Sequence, residues 1–265
     1  MNDTLSAIEI AVERAISVLR RAPSALVTDI DGTISAIVAR PQDARVEGPA
    51  RDALRRLSKH LALVGIVTAR EESVARSMVG VESLTYVGNY ALESGNSATT
   101  PDGRMEQLKV AVRPLLTQMP CVTLEEKGIS FSLHYRNCSE DGVRERLLDQ
   151  LENLAGTAGA RLVEGKQVIE VVPANLPDKG QALARLLDAN GIEGVVFVGD
   201  DLSDTAAFRE VKRRSGLAVA VVDQETPITV REAGDLELGG VEAVTAFLSR
   251  LANCLEKGDR DVPVG

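Results

Sequence analysis

Short, nearly continuous apolar runs that each stop at a polar residue capable of chemistry constrain this chain more than any other feature. Residues 25–30 (ALVTDI) run into Asp31-Gly32, residues 61–67 (LALVGIV) into Thr68, residues 84–87 into Gly88-Asn89, and residues 194–198 (GVVFV) into Gly199-Asp200-Asp201. A strand without polar alternation must be covered on both faces, which is the condition of a parallel sheet between layers of helices. The segments between supply those helices. One opens at Pro49 and runs to about residue 58, one spans 71–79, one is capped by Asp178 and stopped at Gly191, and two more span 205–213 and 241–255, with another strand at 217–222. Leu5, Ile8, Val12, Ile16 and Leu19 recur at spacings of three and four, marking an amphipathic helix that ends before Pro23. The expected fold class is α/β, a doubly wound parallel sheet with a Rossmann-like core.

The middle of the chain has a different texture. Residues 98–104 (ATTPDGR) are rich in turn formers, strands are expected at 121–124, 129–135 and 168–172, and a helix at 140–154. These strands alternate more, as in an open sheet with one wet face. We therefore expect an N-terminal helix at 1–22, a core domain formed by 23–96 and 176–258, and a smaller α+β domain inserted at 97–175, with a loose tail from 256.

Composition limits the partners. Lys plus Arg number 30 against 39 Asp plus Glu, a net charge of −9 with a pI near 5.0. That balance argues against nucleic acid, whose phosphates are bound by excess Lys and Arg. No run approaches the ~20 apolar residues of a membrane helix. Asp3, Glu9 and Glu13 set the first helix apart from signal and transit peptides, so a cytoplasmic location and no membrane partner are expected. The three cysteines, Cys121, Cys138 and Cys254, are odd in number and lack C-x-x-C spacing, so reduced structural thiols are expected.

In open parallel sheets ligands bind beyond the C-terminal strand ends. Here those ends deliver Asp29 and Asp31, then Thr68, then Asp200, Asp201 and Asp204, while Lys179 starts the helix after the insertion. Five carboxylates in one crevice repel one another unless a cation intervenes. A hard divalent ion with oxygen ligands, such as Mg²⁺, meets that need and turns an acidic pocket into an anion site. Asp29 and Asp31, two apart in an extended segment, point the same way. One can attack phosphorus while the other protonates the leaving oxygen and later activates water. A D-G turn closing a strand would leave the same local pattern; the other strand-end residues favour chemistry.

Asp29-Ile30-Asp31-Gly32-Thr33 (D-x-D-G-T) resembles the first motif of the haloacid dehalogenase phosphatase superfamily. Thr68, Lys179 and Gly199–Asp204 resemble its second, third and fourth. The stretch from Thr68 to Lys179 far exceeds the ~30 residues of a βαβ unit; this is similar to members with an inserted C2-type cap. A narrower likeness is to the trehalose-6-phosphate phosphatases. It lies in Val67-Thr68-Ala69-Arg70, in Glu125-Glu126-Lys127-Gly128, in Ser132-Leu133-His134-Tyr135-Arg136, in Gly165-Lys166 to Glu170 with Pro173, and in GDDLSDTAAF at 199–208. The chain departs from that pattern at Tyr90-Ala91, where His-Gly is usual, at Ala69 and at Thr205.

The resemblance implies roles. Asp29 would be the nucleophile and Asp31 the general acid/base, with Thr68 and Lys179 on the phosphoryl oxygens. Asp200, the Asp29 carboxylate and the Asp31 backbone carbonyl would hold Mg²⁺, with Asp204 reaching it through water and Asp201 orienting Lys179 or the metal's waters. Thr33 and Arg70 would face the phosphate, and Asn89, Glu93, Glu125, Lys127, His134, Arg136 and Glu170 the sugar. The implied reaction is hydrolysis of trehalose 6-phosphate through an aspartyl-phosphate, by a monomer acting on a small sugar phosphate. Alternatives are a phosphatase for sucrose phosphate or glucosyl- or mannosyl-3-phosphoglycerate, a phosphomutase, and a non-catalytic sugar-phosphate sensor.

Overall fold

The computed structural model describes residues 2–38, 40–89, 103–127 and 129–258. The chain divides into two compact units, one of Met1–Ala91 with Asp178–Gly265 and one of Leu92–Pro177. The first unit begins with α1 (Asn2–Leu19), β1 (Ser24–Thr28), α2 (Gly48–Leu57), β2 (Leu63–Val67), α3 (Glu72–Val79) and β3 (Thr85–Val87). The second comprises α4 (Arg104–Gln118), β4 (Thr123–Lys127), β5 (Ser130–His134), α5 (Val143–Ala158), β6 (Ala160–Gly165) and β7 (Val168–Pro173). The chain then returns to the first unit with α6 (Lys179–Ala189), β8 (Gly194–Gly199), α7 (Asp204–Arg213), β9 (Leu217–Val222), α8 (Ile228–Ala233), β10 (Leu236–Gly239) and α9 (Gly240–Gly258).

The strands of the first unit form a parallel sheet in the order β10-β9-β8-β1-β2-β3. Every residue of β1, β2 and β8 is buried, as their apolar runs demand. Successive side chains go to opposite faces. Leu26, Ile66, Val196 and Val198 pack with Leu54, Leu57, Phe247 and Leu251 of α2 and α9, while Val27, Val67, Val195 and Phe197 pack with Leu183, Leu187 and Phe208 of α6 and α7. From β1 the chain builds outward one way through β2 and β3. After the second unit it re-enters on the other side at β8. The order therefore reverses between β1 and β8, and such a switch opens a crevice at the strand ends.

The second unit is an antiparallel sheet in the order β4-β5-β7-β6. One face, with Phe131, Leu133, Ile169 and Val171, packs on Leu108, Val112, Leu147 and Leu151 of α4 and α5. The other carries Glu125, Lys127, Ser130, Ser132, His134 and Glu170, as period-two alternation requires.

Several elements escape the sequence reading. Helix α4 buries Met105, Leu108, Val112 and Leu115, but Lys109 is buried among them and Pro114 lies inside the helix, which hides the pattern. Edge strand β6 is only partly buried, and α8 and β10 are very short. Helix α9 continues to Gly258, so residues 256–258 are helical rather than part of a tail. The cysteine expectation is corrected: Cys121 and Cys138 form a disulfide, with Cα atoms 5.0 Å apart, and Cys254 is free and exposed. Thr123 pairs with His134, so the residues just outside β4 and β5 meet at one end of the hairpin. Linear spacing alone could not show that. Among the described residues no helix is long and apolar enough to cross a membrane.

Gly180 sets the spacing of α6 and α7: a Cβ there would sit 2.6 Å from the Ala206 carbonyl oxygen, a backbone atom. Gly180→Ala is expected to lower stability by about 1–3 kcal/mol, read as a shift in the urea unfolding midpoint. An unchanged midpoint would mean that the two helices do not depend on this close approach.

Candidate active site

The site gathers at the C-terminal ends of β1, β2 and β8. Asp29 follows β1, its backbone N–H still donating to the Val198 carbonyl at 3.0 Å. The chain then turns sharply, with the N–H groups of Ile34 and Ser35 both donating to the Ile30 carbonyl at 2.9 Å. Gly32 occupies this turn at φ 78°, and a Cβ on it would lie 2.0 Å from Asp200 Oδ2. Both the left-handed backbone and the contact require glycine. Thr33 Oγ1 donates to Asp200 Oδ1 at 3.0 Å, tying the β1 turn to the end of β8.

Lys179 opens α6 behind an Asp178–Gln181 capping box. Its Nζ donates to Asp29 Oδ2 at 2.8 Å and to Asp204 Oδ1 at 2.7 Å. Asp204, at the start of α7, turns its other oxygen back to accept from the N–H groups of Asp200 at 3.0 Å and Asp201 at 2.9 Å. Lys179 is 2% exposed, Asp29 5%, Asp200 1% and Asp204 0%. Burial pushes the Asp29 carboxyl well above the usual carboxylate range; Lys179 opposes that rise, while the Asp204 and Asp200 carboxylates add to it. One oxygen from each of Asp29, Asp200 and Asp204 lies within 4.8 Å of the others. Three buried carboxylates share the single charge of Lys179, and their hard oxygens suit a small divalent cation that would balance the excess.

Asp31 is held elsewhere. Arg70 Nε donates to its Oδ2 at 2.6 Å and Nη2 to its Oδ1 at 2.7 Å, and Nη2 also donates to the Pro41 carbonyl at 3.2 Å. Thr68, buried after β2, accepts from the Arg70 N–H at 3.3 Å. Asn89 is buried in the left-handed region at φ 44°, its N–H donating to the Arg70 carbonyl.

The structure thus brings together Asp29, Asp200, Asp204 and Lys179, with Thr33 on Asp200 and a second group of Asp31, Arg70 and Thr68. The role expected of Asp201 toward Lys179 falls to Asp204, because one turn of chain points that side chain back at the strand end. Arg70 faces Asp31 rather than standing open, and the Thr33 hydroxyl is directed at Asp200. Glu93 and Tyr90 lie outside the described residues.

Within the second unit, Glu125 pairs across strands with Ser132, and Ser132 with Glu170. His134 Nε2 lies 2.8 Å from Glu125 Oε2, while Lys127 Nζ sits 3.8 Å from Glu125 and 3.6 Å from Glu170. Ser130 Oγ donates to Glu170 Oε1 at 3.1 Å. Arg136, past the end of β5, donates to the Lys166 carbonyl at 3.0 Å. The two serines were missed by sequence reasoning; their signal is their period-two position beside Lys127 and His134.

The fold is that of known phosphatases. A structure of the trehalose-6-phosphate phosphatase C-terminal domain from Candida albicans superposes with a TM-score of 0.79 over 93% of this chain and 97% of that one, at 19% identity, a likeness of fold. The family model for trehalose-phosphatase matches residues 27–235. This chain belongs to the trehalose-phosphatase family, within the haloacid dehalogenase superfamily. It is 32% identical over 258 residues to a trehalose-phosphate phosphatase of Mycobacterium avium, covering 87% of this chain and 62% of that protein. It is 30% identical over 253 residues to an uncharacterized glycosyl hydrolase of Mycobacterium tuberculosis, covering 88% of this chain and 18% of that protein. The chain thus spans less than two thirds of the length of these relatives.

Lys179→Met leaves the Asp29 and Asp204 carboxylates buried without their partner. The variant is expected to lose about 3–5 kcal/mol of stability in urea unfolding with a chelator present. Loss of under a tenth of that would mean the ammonium is not what holds the two carboxylates.

Proposed function

We propose that this chain is a Mg²⁺-dependent phosphatase that hydrolyses trehalose 6-phosphate to trehalose and phosphate. The observation that carries the reading is the buried Lys179 between Asp29 and Asp204, beside Asp200, at the switch between β1 and β8. A nucleophilic carboxylate, a cation for phosphate and hard oxygen donors stand there together. Lys179 fixes Asp29 through Oδ2 and leaves Oδ1 to approach phosphorus. The new O–P bond forms as the sugar O–P bond breaks, and Asp31 gives a proton to the departing sugar oxygen. Asp31 then takes a proton from water, which attacks the aspartyl-phosphate, releases phosphate and restores Asp29. Arg70 occupies both Asp31 carboxylate oxygens, so it must let go before Asp31 can reach the sugar oxygen. Asp29, Asp200 and the Asp31 carbonyl would hold Mg²⁺, which when bound neutralises phosphate charge. Both oxygens of Asp204 already accept hydrogen bonds, so its part is to position Lys179 and the loop after β8.

Membership of the family supports a sugar-phosphate substrate, and the row of Glu125, Ser132, Glu170 and Lys127 supports a hydroxyl-rich one. Carboxylates accept from hydroxyl groups, and an ammonium donates to them.

Phosphate release from trehalose 6-phosphate, sucrose 6-phosphate, glucose 6-phosphate and glucosyl-3-phosphoglycerate tests this directly. Selective release from the first, lost with a chelator, is expected; release from another alone would replace the substrate and keep the chemistry. Asp29→Asn should lower kcat about a thousandfold or more while the variant stays folded by circular dichroism, and near-normal turnover would remove the covalent route. Glu170→Gln should raise KM about tenfold with a smaller change in kcat; an unchanged KM would take the second unit out of sugar binding.

A further inference from the structure

A cavity of about 370 Å³ lies in the first unit, walled by α2, α3 and the single 3-10 turn of Pro41–Asp43. Arg45, Arg51 and Arg70 line it together with Ser73 and Ser77. Among the described residues, none of those lining it is acidic. Arg70 is matched by Asp31, which leaves Arg45 and Arg51 as a local positive excess in a chain of net −9. Of the acids near these residues in sequence, Asp43 pairs with Arg40 at 3.1 Å, Asp52 with Arg55 at 2.5 Å and Glu72 with Arg76 at 2.7 Å, and neither Glu47 nor Glu71 lines the cavity. Arg45 has no ion pair among the described residues. Arg51 Nε is buried with no hydrogen-bond partner, and its Nη2 makes only a long bond of 3.4 Å to the Met78 carbonyl.

With Arg45 lacking an ion pair among the described residues and the outer nitrogens of Arg51 only loosely held, a tetrahedral oxyanion is the acceptor that such guanidinium groups suit best. Ser73 and Ser77 are four apart on α3, so both hydroxyls share the face that borders the cavity. The volume exceeds what a bare anion fills and falls in the lower range of small-molecule sites. Val74 and Met78 add apolar wall for the rest of such a ligand. The geometry points to a second binding site, separate from the Asp29 crevice, for a small metabolite carrying a phosphate group. Arg70 joins the two sites. Arg70, whose guanidinium grips Asp31, also lines this cavity, so an anion here would compete with Asp31 for it. That link rests on the role proposed above for Asp31; the binding itself does not.

Sulfate is a suitable probe, being a tetrahedral dianion that is not a product of the reaction. Arginine modification by phenylglyoxal, mapped by peptide mass spectrometry, reads the site without any activity. Against chloride at equal ionic strength, sulfate is expected to slow modification of Arg45 and Arg51 about tenfold. Arg45→Ala, at an exposed position, should weaken the protection of Arg51 by a similar factor. Arg51→Lys, which keeps the charge and the stem, should weaken the protection of Arg45. Equal modification rates with and without sulfate would overturn the site. With a substrate that the chain turns over, sulfate should change kcat about fivefold in the wild type and leave the kcat of Arg45→Ala unmoved. An equal response in both would overturn the link through Arg70.

Discussion

A single buried ammonium holds the site together. Lys179 lies out of water between Asp29 and Asp204, and an unpaired charge there would be strongly unfavourable. Its two partners come from segments far apart in the chain, one ending β1 and one starting α7. Satisfying both at once requires α6 to enter the crevice at one height, which is what its capping box and the close approach of Gly180 to α7 provide. The fold thus places a cation and a buried strand-end carboxylate in contact before any ligand arrives. The remaining excess of negative charge, on three carboxylates against one ammonium, is what suits the cluster to a metal ion.

The strand ends are joined by polar contacts rather than by apolar packing. Thr33 links the β1 turn to Asp200, Arg70 links the segment after β2 to Asp31, and Asp204 gathers the N–H groups after β8. Such links are directional and charge-sensitive. Arg70 is the member most open to exchange, since its fork holds a partly exposed carboxylate and faces a cavity rich in positive charge.

The second unit divides its labour by face. Phe131, Leu133, Ile169 and Val171 give it a core of its own against two helices, and the disulfide ties one end of the β4–β5 hairpin. Its other face can then carry acids, a lysine, serines and a histidine without weakening the packing. On that face His134 and Ser130 hold Glu125 and Glu170 at 2.8 and 3.1 Å, while Lys127 stands farther off, at 3.8 and 3.6 Å from the two acids.

Much of this was legible from residue order. Buried runs such as LALVGIV and GVVFV have one stable environment, so the parallel sheet followed from them, and so did the strand ends where Asp29, Thr68 and Asp200 sit. The family resemblance singled out Glu125, Lys127, His134 and Glu170, but the strand expected there stopped at 124, and only the observed pairing puts the four on one face. Long-range pairing was not legible. That Asp204 rather than Asp201 holds Lys179, that Arg70 grips Asp31, that Cys121 meets Cys138, and that Arg45 and Arg51 share a cavity all depend on segments distant in sequence. A chain specifies its local backbone through propensity and hydrophobic period, which act over a few residues. The partner of each charge is chosen only when the packed layers bring those residues within hydrogen-bonding distance.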